Sequence, residues 1–239
     1  MRRWETGARK TQGRIVSRES GFVQRTGTLF APDWSDGAER PRGECGNGAV
    51  RVGYSRPSRQ RATQAAASAS VASMQTTSAG ATTIAMPCNT AHHWYDDLAR
   101  GGPPMLHIGD AAIDALRRAV AAPARVGLVA TAGTLASGFY QRRLAQAGYA
   151  CLVPTPADLE HDVAPAIAAV KAGRLHEGGE AFVRAARALY ARGAAAVILA
   201  CTEVPPAIAA VGAPADVVCI DATEALAAAC VARWREGRL

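Results

Sequence analysis

Two stretches of this chain are built to one pattern. The first, GATTIAMPCNTA, opens at Gly80; the second, GAAAVILACTEV, opens at Gly193. In each, Gly-Ala leads into an apolar run, a cysteine (Cys88 or Cys201) stands eight residues after the glycine, and a threonine follows within two residues. What comes next also repeats. LHIGDAAIDALRR sets Asp110 22 residues after Cys88, and VVCIDATEALAAA sets Asp221 20 residues after Cys201. A strand–Cys–loop–helix–strand–Asp–helix unit therefore occurs twice, 113 residues apart, which is a duplicated half and not a solenoid. Any fold for this chain has to accommodate two alike strand ends, each carrying a thiol.

The surrounding sequence alternates strand with helix. Apolar runs at 81–87, 125–131, 150–155, 194–200 and 216–220 read as strands. Stretches at 110–122, with Asp110 at its start, and at 135–148, closed by Gly148, read as helices. So do 162–173, 178–193, 205–212 and 221–237. Strands that are apolar throughout and alternate with helices predict an α/β fold whose parallel sheet is covered on both faces. With the repeat, the expectation is two pseudosymmetric Rossmann-like domains, the first incomplete. Residues 71–122 form the remainder of the first domain, where the closing helix 221–237 is free to pack, and 123–220 form the second.

Residues 1–70 fit no such pattern. They show neither helix nor strand periodicity, and SRPSRQRATQAAASASVAS and SDGAERPRGECGNG are polar, turn-rich strings. Such a stretch buries too little apolar surface to offset its ordering entropy. The expectation is a disordered or aberrant basic segment. It carries the whole charge of the chain: 13 Lys/Arg less 6 Asp/Glu is +7, whereas residues 71–239 hold 14 of each. The patterned part thus has no electrostatic reason to bind nucleic acid. No apolar run reaches the roughly 18 residues of a membrane span, and MRRWETGARKTQGR lacks the apolar core of a secretory signal. A cytoplasmic protein with reduced thiols is expected.

The six cysteines, at 45, 88, 151, 201, 219 and 230, show no metal-ligand spacing, so no metal is expected. Cys151, Cys219 and Cys230 read as small buried hydrophobes. Cys88 and Cys201 are different, because they are matched and each is followed by hydrogen-bonding Asn or Thr. Ligands of open α/β sheets bind beyond the carboxyl ends of strands. Two thiols facing each other across such a cleft suit inversion at a carbon: one takes the α-proton and the other delivers a proton to the opposite face. The carboxylate of such a substrate must be held and its developing charge stabilised. Candidate donors are Asn89, Thr90 and Thr202, together with the TAGT loop at 131–134. Pyridoxal phosphate is not expected, since the chain has two lysines, Lys10 and Lys171.

MPCNTAHHWYDDL, GLVATAGTLASGFYQRRLAQAGY, KAG and ILACTEVP resemble the cofactor-independent aspartate/glutamate racemase superfamily, closest to its aspartate racemase branch, over roughly residues 78–237. The resemblance implies two α/β domains with the site between them and a two-thiol mechanism free of metal and cofactor. It assigns Cys88 and Cys201 as catalytic. It places Asn89, Thr90, Thr131, Thr134 and Thr202 along the substrate site. Lys171 matches a lysine that pairs with the substrate's side-chain carboxylate, the bland alternative being a solvated cation at a helix end. Glu203 is expected to orient Thr202 or cap the next helix. His92 is read as second to the site or as loop packing, and His93 as loop packing. The partner implied is a small amino-acid substrate; a homodimer is allowed, and neither nucleic acid nor membrane is expected.

The family's opening strand and paired-glycine loop should lie about 75 residues before Cys88, near residue 13, where KTQGRIVSRESG shows neither. Arg59 in RPSRQR echoes the family's substrate-binding arginine in the wrong context. A shifted reading frame, a wrong start or a degenerate remnant would each account for residues 1–70. Three functions stand side by side: an aspartate or glutamate racemase, an isomerase or single-cysteine decarboxylase of the same superfamily, and a truncated inactive member that at most binds a small dicarboxylate.

Overall fold

The computed structural model describes residues 81–237. Segment 1–70, with Arg59 and the region near residue 13, lies outside the described residues, as do 71–80 and the last two.

All strands described are parallel. β1 (Ile84–Ala85) pairs with β2 (Met105–Leu106). The apolar run expected as a strand over 81–87 is therefore regular over two residues. A 3-10 turn (Thr90–Trp94) and α1 (Tyr95–Leu98) connect these strands. The second sheet has four strands in the order β4-β3-β5-β6, comprising β3 (Ala124–Ala130), β4 (Tyr149–Leu152), β5 (Ala196–Ala200) and β6 (Cys219–Asp221). Helices α2 (Ile108–Ala119), α3 (Ala132–Ser137), α4 (Phe139–Gln146) and α9 (Ala222–Arg235) alternate with the strands, as do α6 (Ala164–Lys171), α7 (Leu175–Ala191) and α8 (Val204–Val211). Between β4 and α6 lies α5 (Pro156–Asp158), a single turn opened by a Thr155–Asp158 capping box, followed by one π turn over Leu159–Val163. The α/β class and its parallel sheets are as the alternation predicts.

The strand pleat sorts the core into two. Val126, Leu128, Ala130, Ile198, Ala200 and Ile220 face α2, α4 and α9, while Val129, Val197 and Leu199 face α7 and α8. Two glycines allow the close approaches. A Cβ on Gly127 would press on Leu189 and Val197, and one on Gly179 in α7 would overlap the backbone oxygen of Ala207 in α8.

Two helices differ from expectation. The stretch 135–148 is broken at Gly138, whose φ of 69° ends α3 and starts α4. α4 does finish as expected, with Gly148 at φ 84° just beyond its cap. The N-cap of α2 is His107, three residues before Asp110; its Nδ1 accepts the Gly109 N–H at 2.9 Å. Asp221 does cap α9, accepting from the Thr223 and Glu224 N–H groups. The repeat thus aligns His107, not Asp110, with Asp221.

Candidate active site

β3 is flanked by β4 on one side and β5 on the other, and the chain crosses over β3 between them. That reversal makes the carboxyl ends of β3 and β5 a topological switch point, where open α/β sheets bind ligands. Ala130 and Ala200 are paired in register, so Thr131 and Cys201 leave neighbouring strand ends. The loop that follows β1 lies against the same place.

Three hydroxyls mark the join. Thr90 Oγ1 lies 2.9 Å from Thr131 Oγ1 and 2.9 Å from Thr134 Oγ1, and those two are 3.0 Å apart. Thr131 also caps α3 by accepting the Thr134 N–H. Gly133 lets the loops meet: a Cβ there would sit 3.1 Å from the Thr90 methyl. Asn89 is only 3% exposed; its Oδ1 accepts from the Tyr140 hydroxyl at 2.7 Å, while its Nδ2 is buried with no partner. A buried amide donor without a partner, next in sequence to the first thiol, is an exception to the pairing of buried polar groups.

The second thiol has its own partners. Cys201 is 5% exposed, and its Sγ–H donates to Glu203 Oε2 at 2.8 Å. The Thr202 hydroxyl donates to the same oxygen at 2.9 Å. Lys171 Nζ, on a side chain 65% exposed, stands 4.0 Å from Glu203 Oε1. Burial pushes the Cys201 thiol far up, and the Glu203 carboxylate adds to that, with a smaller contribution from Cys88. For Glu203, burial also pushes upward. The bonds from Cys201, Thr202 and its own N–H, with Lys171, outweigh this and keep it ionised. Glu203 orients Thr202, but its side chain makes no capping bond at the start of α8.

His92 supports the first thiol's loop. It is 2% exposed; its Nδ1–H donates to the Cys88 carbonyl at 2.9 Å and its Nε2 accepts the Ile108 N–H at 3.1 Å, which fixes the neutral tautomer. Burial lowers its pKa to about 4 and that of His107 to about 3. Tyr95 and Phe139 close a ring cluster around them, and His93 packs edge-on against Trp94. Among the described residues, the other thiols lie apart. Cys151, Cys219 and Cys230 are half-buried, not fully buried as expected; the first two stand on β4 and β6, the outer strands of their sheet, and the third on α9. Burial still pushes the Cys151 thiol up to about 11. Tyr140 and the Cys201–Glu203 bond are the contacts that sequence reasoning missed.

A family profile covers most of the chain, matching residues 47–230 to Asp/Glu/hydantoin racemase. The chain belongs to the Asp/Glu/hydantoin racemase family. The match starts upstream of the motifs, inside the segment expected to be aberrant. Solved structures of similar proteins agree with this racemase-family fold. A candidate Asp/Glu racemase from Yersinia pestis is 29% identical, with a TM-score of 0.60 over 72% of this chain and 76% of that one. An aspartate racemase homologue from Pyrococcus horikoshii is 29% identical, with a TM-score of 0.55 over 70% and 71%. The Picrophilus torridus aspartate racemase is 27% identical at a TM-score of 0.53 over 65% of this chain; the match spans 63% of that enzyme, less than two thirds of its length. Among the described residues of this racemase-family chain, no helix is long and apolar enough to cross a membrane.

Proposed function

We propose that this chain racemises an acidic amino acid, aspartate or glutamate, with Cys88 and Cys201 as an opposed acid/base pair and no cofactor. The observation that carries the reading is convergence: the Cys88–Asn89–Thr90 loop meets the Thr131–Thr134 loop beside the strand end that bears Cys201.

In this reading the open Asn89 Nδ2 and the three hydroxyls hold the α-carboxylate and absorb the enolate-like charge that develops on it. Lys171, at the rim, takes the side-chain carboxylate. Cys201 rests as a thiol and is the proton donor for the enantiomer whose α-hydrogen faces Cys88. For the mirror image the roles exchange. The proton leaves Cα to one sulfur and a different proton arrives from the other, so inversion places solvent-derived hydrogen at Cα.

Incubation with each enantiomer of aspartate and glutamate in deuterated water tests this directly. The expected result is α-deuteration together with loss of optical rotation. In Cys88→Ala or Cys201→Ala, one sulfur remains: inversion stops, while exchange with retention survives for one enantiomer only. Exchange persisting in the doubly substituted chain would rule out the thiol pair. No exchange in the unsubstituted chain would favour a member that binds a dicarboxylate without turning it over.

A further inference from the structure

We propose that Glu203 is a positioning residue for the second thiol: its carboxylate holds Cys201 in the protonated, hydrogen-bonded form, and Lys171 on the carboxylate's other oxygen sets how firmly. The inference rests on the two-thiol reading above and specifies what distinguishes the two sulfurs.

An acidic residue at the start of a helix ordinarily caps it or meets its dipole. Glu203 stands at that position of α8 and makes no capping bond with its side chain. The carboxylate is turned back instead, over its own strand end. One oxygen receives both Cys201 Sγ–H at 2.8 Å and Thr202 Oγ1–H at 2.9 Å, while the other faces Lys171 Nζ at 4.0 Å. Its side chain is 22% exposed, so water screens these contacts only in part. Among the described residues, the charged and titratable groups acting on Cys201 are Glu203 at the head of α8, Cys88 on the loop after β1 and, through Glu203, Lys171 at the end of α6.

A carboxylate accepting an S–H bond stabilises the thiol and repels the thiolate that would replace it. Cys201 therefore keeps its proton at neutral pH and is a weaker acid than an ordinary thiol. Once it has given one, it is left as a strong base beside a negative charge, ready to take the next. Because the two enantiomers of the substrate are equal in energy, kcat/KM must be equal in both directions at every pH. Its alkaline limb then reports loss of the last thiol proton from the pair, and Glu203 sets where that limb falls.

Peptide-resolved iodoacetamide labelling of the full chain across a pH series reads the thiol without requiring turnover. In Glu203→Gln, the pH dependence of labelling at Cys201 is expected to move to lower pH. For every pH unit that the midpoint falls, the thiolate fraction below it rises tenfold and the intrinsic reactivity of the thiolate drops about threefold, so labelling there speeds up by about threefold. The alkaline limb of kcat/KM moves down with it. A substitution that merely widened access would raise the rate equally at every pH. A Cys201 profile that coincides with that of the unsubstituted chain, in protein of native circular dichroism, overturns the proposal. If Glu203→Gln does not fold, Lys171→Ala reads the same chain of contacts from its far end: the profile moves to higher pH, and an unchanged profile again overturns the proposal. Absence of racemisation alongside the expected movement of the profile would strike the functional reading alone.

Discussion

At the residue scale, the Asn89 amide is the sharpest constraint. Its oxygen is fixed by Tyr140, a fully buried side chain 51 residues away, and this turns its nitrogen into an open donor. Tyr140→Phe strands that oxygen, and urea unfolding should show a loss of about 1–3 kcal/mol, the usual penalty for an unsatisfied buried polar atom. Thr90→Val keeps the shape and removes one hydroxyl from its two contacts. A rise in KM with the fold intact is expected, and steady-state kinetics against the preferred enantiomer measures it. The sequence made Cys88, Asn89, Thr90 and Cys201 legible because the repeat aligned the two thiol stretches, and Thr131 and Thr134 legible because the TAGT loop follows an apolar strand. Tyr140 was not legible: on an amphipathic helix an aromatic reads as core, and nothing local announces a partner so distant in the chain. The Cys201–Glu203 bond was hidden for the opposite reason, because a glutamate before a helix already has an ordinary explanation.

At the element scale, backbone chemistry decides where expectation and structure part. Gly138 sits in the left-handed region and splits one amphipathic pattern into two helices, a break that hydrophobic periodicity alone does not register. His107 caps α2 with a ring nitrogen, so a pattern that looks for an acidic N-cap finds Asp110 instead. β1 is regular over two residues because β2 is its one partner among the described residues, and an apolar run does not reveal how many neighbours a strand will have. The strongest element-level test lies between α7 and α8. Gly179→Ala adds a Cβ that overlaps the Ala207 backbone, and neither helix can yield by rotating a side chain. The gain in helix propensity is below the overpacking penalty of about 1–3 kcal/mol, so the melting temperature should fall.

At the scale of the whole molecule, two buried imidazoles couple stability to pH. His92 and His107 hold protons less readily in the folded chain, at about 4 and about 3, than an imidazole in water does at 6.5. Unfolding therefore takes up protons once the pH falls below about 6.5. The stability present above that value declines by up to about 1.4 kcal/mol per pH unit for each ring as the pH falls toward the folded values. Down to about pH 4 neither ring is appreciably charged in the folded chain, so the two losses add; below that, charging one ring opposes charging the other and deepens the loss. Melting temperatures recorded from neutral to mildly acid pH should fall, and His107→Asn, which retains a capping side chain, should flatten the slope. Protonation of His92 leaves its Nδ1–H bond to the Cys88 carbonyl in place and removes the bond that Nε2 accepts from the Ile108 N–H, so acid first loosens the start of α2.

The three threonine hydroxyls carry a last consequence. Three oxygens in mutual contact own three protons between them, and a closed ring uses one along each edge. All three protons then circulate inward, clockwise or anticlockwise, and the outer face shows only the lone pairs of Thr90 and Thr134, since Thr131 also accepts the Thr134 N–H. Such a face repels a carboxylate. For an anion to enter, one hydroxyl must swing out and break the circulation, and the other two then align in a single sense behind it. The free protein therefore has two handednesses open to it, made unequal by the Thr134 N–H bond to Thr131, and the arriving ligand selects one polarity for a short chain of oxygens that joins both halves of the site.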